Sequence, residues 1–350
     1  LAVGQPSGFA AWLANDIDAP VRRLPKAGFE ANVQLSSGKQ ALTGLELILG
    51  DARFEGNVTR TQAEGSGAHL SVNLDGGPAS ADEAAALMSF FFNANWQNRF
   101  VGYDTDLRLR AAPMGDAPYR ADSVDLALRL SGQSVEIDRL SVANFAGASI
   151  AATGRVDQLG AKPKLSLEAS LLGDDLAPLA DLLAAGGQNP VAAWLSRSAQ
   201  GYTGLLKDAR VDFVANAASG EAGQGDLSVS AKGEAGGTAI DATMSAVGAW
   251  SQPAAALIEL TANLKADDGA ALLALAGAPV LPLGLTGAAE ADIRIEGTPA
   301  SEVQTSIAVR SDDDTANFAG TMAAPVDGLG IRGKASLGAA DIEPWLMTAG

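Results

Sequence analysis

The chain has no cysteine, one histidine and few aromatic residues, and each shortage removes a class of function. Without cysteine there is no disulfide framework and no thiolate metal site, in any compartment. A single histidine excludes a zinc site built on several His or Cys ligands. Any nucleophile–base–acid triad would have to use His69, and no G-x-S-x-G elbow accompanies it. His69 falls in an alternating run from Ala68 to Leu74, where a surface or edge-strand histidine is the simpler reading. Aromatics make up 5% of the residues, so side-chain volume is small and a thick core is not expected. Bases are also short, 24 against 41 acids, for a net charge of −17. Nucleic-acid binding needs clustered Lys and Arg, so nucleic acid is excluded as a partner. An anionic membrane surface repels such a chain, whereas the acid excess keeps a sheet-rich surface in water. Long hydrophobic runs are missing too. The stretch 269–289 carries no charge, but Pro279 and Pro282 interrupt it and alanine dominates its first half. It reads as a buried helix, a loop and a strand rather than a membrane span.

What the chain has instead is a repeated phrase. It occurs at Arg53-Phe54-Glu55-Gly56, Asn144-Phe145-Ala146-Gly147, Ala239-Ile240-Asp241-Ala242 and Asn317-Phe318-Ala319-Gly320. Each copy is followed by a polar turn, an alternating strand and an acid that opens an Ala/Leu-rich helical stretch. The acids are Asp82, Asp175, Asp268 and Asp341, at 28, 30, 28 and 23 residues from the apolar residue of the phrase. A unit of strands plus one helical insert, repeated, predicts a quasi-one-dimensional β protein whose function lies on a long surface.

Period-two alternation marks the strands, for example Val124 to Leu130, Leu165 to Glu168, Leu70 to Leu74 and Ile293 to Ile295. One face is apolar and the other polar, as in an antiparallel sheet with one wet side. Ser36-Ser37-Gly38, Ser131-Gly132-Gln133-Ser134, Ser219-Gly220-Glu221 and Asp312-Asp313-Asp314 read as hairpin turns, which makes the strands meanders. Ser80 is a candidate N-cap, and acids at the helix starts complement the helix dipole. Trp12, Trp96, Trp194 and Trp345 all fall in or just after the inserts. The expected organisation is then 1–18, the tail of a preceding repeat; 19–100, with a helix over 81–93; 101–200, with helices over 175–185 and 190–197; 201–288, with a helix over 268–276; and 289–350, a truncated repeat with a helix start at Asp341. The opening at Leu1 and the stop just after a helix start read as a piece of a longer protein.

Other motifs have plainer explanations. The run Gly328 to Ala335 fits G-x-G-x-x-G and approaches a phosphate loop at Lys334, but Ala335 stands where a magnesium-binding hydroxyl belongs. Alignment of the repeats places a strand over Ile331 to Leu337, not a helix N-terminus. Asp312–Asp314 and Asp174-Asp175 could offer oxygens to calcium, yet a turn and a helix cap account for them without the D-x-[DN]-x-[DN]-G frame. Asn57-Val58-Thr59 matches a glycosylation acceptor, a pattern short enough to arise by chance. Neither a cofactor nor a metal is expected, and no enzyme activity.

The run from Ala121 to Leu130, then Leu140 to Ile150 with its Asn144-Phe145-Ala146-Gly147, then Ala152 to Val156, closed by Asp175-Leu176-Ala177-Pro178-Leu179, resembles the AsmA family of Gram-negative envelope proteins. The pattern recurs across nearly the whole chain, although its motifs are degenerate. The resemblance implies an elongated, taco-like β-groove with short helical inserts, in a periplasmic protein anchored to the inner membrane by a helix absent from this sequence. It implies phospholipid as ligand, transfer of lipid between inner and outer membranes or support of outer-membrane assembly, and outer-membrane assembly proteins as partners. Leu126, Leu128 and Leu130 share one strand face, as do Leu165, Leu167 and Leu171. They are the expected groove lining, and Leu128→Asp is expected to leave the fold intact while blocking lipid. The competing expectation is a structural or adhesive β-repeat protein whose apolar face is a closed core. A hydrolase using paired carboxylates is the weakest reading, because the acids are scattered over turns and caps.

Overall fold

Alternating side chains and small polar turns give strands almost everywhere in this chain, and the protein is mainly β, with few short helices. The computed structural model describes residues 2–3, 19–62, 67–91, 103–159, 162–186, 190–220, 223–249, 251–276, 280, 287–312, 314–323, 330–343 and 346–347. Two compact units result, Leu1–Leu159 and Gly160–Gly350.

In the first unit, β1 (Ala2–Val3) pairs with β2 (Ala27–Leu35), and the short helix α1 (Ala19–Arg23) lies between them in sequence. Next come β3 (Lys39–Leu49), β4 (Ala52–Gln62) and β5 (Ala68–Gly76), each antiparallel to the one before. The helix α2 (Ala81–Ser89) then leads to β6 (Tyr103–Ala111), which pairs with β5 in parallel. The expected all-antiparallel meander is therefore interrupted once. A parallel neighbour cannot be reached by a hairpin and needs a crossover, and α2 lies in that connection. A small ribbon, β7 (Met114–Asp116) and β8 (Tyr119–Ala121), forms a separate two-stranded sheet. The sheet continues from β6 to β9 (Ser123–Ser131), β10 (Ser134–Phe145) and β11 (Ala148–Asp157), all antiparallel.

The inward face of this sheet is closed over β5, β6 and β9, while Val33 in the same cross-strand row on β2 stays 59% exposed. Leu128 sits between Leu107 and Ile137 on the neighbouring strands, and Leu126 between Leu109 and Leu140. They join one buried cluster with Phe54, Leu74, Val21 of α1, and Ala86 and Leu87 of α2. α2 starts where the sequence places it. The Ser80 hydroxyl accepts from the Glu83 amide, and the Glu83 carboxylate accepts from the Ser80 amide.

The second unit is a plain antiparallel meander in sequence order. It runs β12 (Lys164–Asp175), β13 (Lys207–Ser219), β14 (Gln224–Ala235), β15 (Thr238–Ala249), β16 (Leu257–Ala266), β17 (Ala289–Gly297), β18 (Val303–Ser311), β19 (Asp314–Ala323) and β20 (Gly330–Gly338). Helices α3 (Ala177–Ala185) and α4 (Pro190–Gly201) follow β12, and α5 (Gly269–Leu275) follows β16. Asp268 is the N-cap of α5 and its carboxylate accepts from the Ala270 amide, while Asp175 stands one residue before the N-cap Leu176 of α3 and its carboxylate accepts from the Ala177 amide. Four strands separate the end of α4 from α5, and four more separate α5 from the cap-like turn at Asp341, whose carboxylate accepts from the Glu343 amide. An even strand count returns every insert to the same end of the meander. There Leu205, Ala266, Ala271, Leu272, Ala289 and Ala291 make a small buried core.

The repeated phrase acquires a structural meaning. Phe54, Ile240 and Phe318 point to the apolar face, and at Gly56 and Gly320 the small residue two positions on is required by the neighbouring strand; the remaining copy differs, since Phe145 ends β10 and Ala146 and Gly147 make the turn to β11. A Cβ on Gly56 would strike the Asn73 carbonyl, and one on Gly320 the Arg332 carbonyl. Lys334 and Ala335 lie within strand β20, as the repeat alignment expects, while Gly328 and Leu329 lie outside the described residues. Trp194 lies on α4 and is partly exposed; Trp12, Trp96 and Trp345 lie outside the described residues.

Candidate functional site

The largest chemical feature of the second unit is the apolar face of its meander. One cross-strand row reads Leu167, Ala215, Val229, Met244, Leu260, Ile295, Thr305, Gly320 and Gly333. The row beside it reads Ala169, Phe213, Ala231, Ala242, Ala262, Ile293, Ile307, Phe318 and Ala335, and carries no polar side chain. Such continuity follows from period-two geometry in every strand at once.

This face is shielded but not sealed. From β12 to β18 its side chains are half-buried along most of their rows, and from β13 onward they are fully buried near the helix end. Apolar residues on the opposite face give a reference. Leu172 is 41% exposed, Val214 41% and Val247 51%, whereas Leu171 and Val229 on the apolar face are shielded more. Among the described residues of this unit, the helices cover the end of that face and no second sheet completes a dry core over its middle.

The opposite face is polar and ion-paired. Lys232 Nζ reaches Asp241 Oδ2 at 3.1 Å and Lys265 Nζ reaches Glu290 Oε1 at 3.3 Å. The Asn263 amide donates to Glu290 Oε1 at 2.8 Å and to Asp292 Oδ1 at 2.9 Å, and Arg310 also pairs with Asp292. The Asn263 hydrogen bond, with others from Lys265 and Arg310, holds both carboxyls below their usual range. These pairs are exposed and contribute little each. Their effect is to keep one side of the sheet wetted.

The six leucines expected to line a groove divide into two groups, in different units. Leu126, Leu128 and Leu130 are 8%, 6% and 8% exposed and belong to the first unit's closed core. Leu165, Leu167 and Leu171 are half-buried on the second unit's open face. Met244, Ile293, Ile307 and Phe318 share that face but were not among the expected lining. Their signal is alternation in strands that become neighbours only on folding.

Thr305 interrupts the apolar row. Its hydroxyl is buried and has no hydrogen-bond partner in the structure, as is also true of Thr105 and Thr238. An unpaired buried hydroxyl costs about 1–3 kcal/mol, and valine has nearly the same shape. Thr305→Val is therefore expected to stabilise the second unit by roughly 1 kcal/mol, read as a higher urea midpoint at an unchanged slope.

The alternative chemistries find no constellation. His69 Nε2 lies 3.4 Å from Asp106 Oδ2, both half-exposed on the wet face. Asp314 accepts from the Ala340 amide at 3.0 Å, while Asp313 lies outside the described residues. Among the described residues no group of three metal-ligating side chains converges, and no helix is long and apolar enough to cross a membrane. No family model, no curated protein and no solved structure matches this chain.

Proposed function

We propose that this chain is a non-enzymatic lipid-handling module of the AsmA type, acting in the periplasm. Its second unit shields phospholipid acyl chains on an apolar sheet face while headgroups stay in water. The observation that carries this reading is the apolar face that runs across β12–β19, polar at Thr305, half-shielded and without a second layer among the described residues. An acyl chain crossing water costs roughly 0.8 kcal/mol per exposed CH₂. A face offering apolar contact from strand to strand lowers that cost along the whole route. Movement along it is passive, driven by the lipid gradient between the ends. Inner-membrane anchoring and outer-membrane assembly proteins as partners belong to the same proposal and rest on the sequence resemblance.

A second reading, a structural or adhesive β-repeat protein, draws on the first unit, whose apolar face is a closed core over β5, β6 and β9. Lipid content separates the two. Protein purified without detergent and extracted for mass spectrometry is expected to carry diacyl phospholipid. Met244 is half-buried at the middle of the open face, between Val229 and Leu260. Met244→Asp is expected to stay folded, because its carboxylate reaches water, and to lose most of the bound lipid. A lipid-free wild type, or a full load in Met244→Asp, moves the weight to the structural reading.

A further inference from the structure

At the helix end of the second unit's apolar face lies a pocket of about 250 Å³. Leu272 and Leu273 of α5 form one wall, Val309, Ala316 and Leu337 of β18–β20 another, and Leu346 closes part of the rim. Val309, Ala316 and Leu337 are cross-strand partners in one row, so the pocket is continuous with the open face. Two of its polar neighbours are already engaged. The Ser311 hydroxyl donates to the Ala288 carbonyl at 2.8 Å, and Asp314 accepts from the Ala340 amide at 3.0 Å.

We propose that this pocket holds the methyl end of a single hydrocarbon chain whose remainder lies along the rows of the face. The proposal rests on the lipid-handling reading and adds to it a direction: tails point to the helix end. Three arguments choose this occupant. A peptide segment would carry N–H and C=O groups into a wall with almost nothing to pair them, which is costly. The volume exceeds the ~150 Å³ apolar cavity that accepts benzene and falls short of the ~300–1,000 Å³ that whole small ligands occupy. It therefore suits a chain end and not an entire lipid. Finally, Leu337, Ile342 and Leu346 are 53%, 43% and 61% exposed around the pocket, and a chain seated there would remove that apolar area from water.

Two photoreactive palmitates test this on the full chain, one with a diazirine at the terminal carbon and one with it beside the carboxylate. Cross-linked peptides are then mapped by mass spectrometry. The terminal probe is expected to label segments 269–276 and 337–346, and the carboxyl-side probe to label the face away from α5. Ala316→Trp fills the pocket, and Leu346→Asp places a charge on an exposed rim position that the fold does not need. Each is expected to cut terminal-probe labelling at α5 by about tenfold, the worth of roughly two buried methylenes, with circular dichroism unchanged for Leu346→Asp. If both probes label only other parts of the face, or if labelling at α5 survives in Leu346→Asp, the pocket assignment is wrong while the lipid reading stands. If neither probe labels the protein, both are overturned.

Discussion

Leu128→Asp is expected to unfold the first unit, not to leave an intact protein stripped of lipid. Leu128 is 6% exposed and packs between Leu107 and Ile137 in the middle of the sheet. Its cluster includes Leu74, Leu109 and Leu87, which offer a carboxylate no donor. Ionised there, aspartate loses its hydration with nothing in return; protonated, it still leaves a hydroxyl and a carbonyl unpaired. Either route costs several kcal/mol, in addition to about 2–5 kcal/mol for the lost leucine packing. A domain with about 5–15 kcal/mol in total does not reliably survive that. Hydrogen exchange is the measurement: amides of β6, β9 and β10 should lose protection. A Leu128→Asp protein with wild-type protection in those strands would show that water reaches this face, and the first unit would then be open as well. Met244→Asp is the matched control, because the same charge is placed on a half-buried face.

The contrast explains what the sequence could and could not convey. Strands were legible because alternation and turn chemistry are local. Val124 to Leu130 and Leu165 to Leu171 became β9 and β12, and Ser131-Gly132-Gln133-Ser134 became the hairpin joining β9 to β10. The helix starts at Ser80 and Asp268 were legible for the same reason, since a cap is a contact over two or three residues. The parallel pairing of β5 with β6 was not legible. Nothing in either strand distinguishes a parallel from an antiparallel neighbour, and the choice is made by the crossover through α2. Nor could alternation say which face is closed. Leu126, Leu128 and Leu130 have the same pattern as Leu165 and Leu167, yet the first group is buried in a cluster that α1 and α2 also enter, and the second is not. That difference is made by residues more than thirty positions away. The candidate site was legible as a property of strands and not as a set of residues. Met244, Ile293 and Ile307 contribute to it only because six successive registers align them.

Raising the acidity should loosen the first unit at one identifiable point, the carboxylate of Glu83. This side chain is 8% exposed and reaches from α2 to the turn between β3 and β4. Its Oε1 accepts from the Asp51 amide at 2.5 Å and the Ala52 amide at 3.2 Å, and its Oε2 accepts from the Ser80 amide at 2.8 Å. Burial pushes the carboxyl up, but the hydrogen bonds from Ser80, Asp51 and Ala52 together outweigh it and hold it below the ordinary value of 4.5. A carboxylate with a depressed value in the folded state stabilises most above its unfolded value, and that contribution disappears as pH falls through the folded value. The window is therefore acidic, beginning below about pH 4.5, and neutral pH lies on the plateau. Glu83→Gln keeps the shape but not the charge, and an amide accepts these bonds more weakly. At neutral pH it is expected to cost about 1.5–3 kcal/mol, the scale of a hydrogen bond to a charged group. As pH falls, the wild type loses the same term and the two proteins converge. The readout is hydrogen exchange at the Asp51 and Ala52 amides, which donate to the carboxylate, together with the denaturation midpoint of each protein from neutral pH down to pH ~3. A wild-type advantage that persists unchanged to the acidic limit would mean that the carboxylate is not what fastens α2 to the sheet.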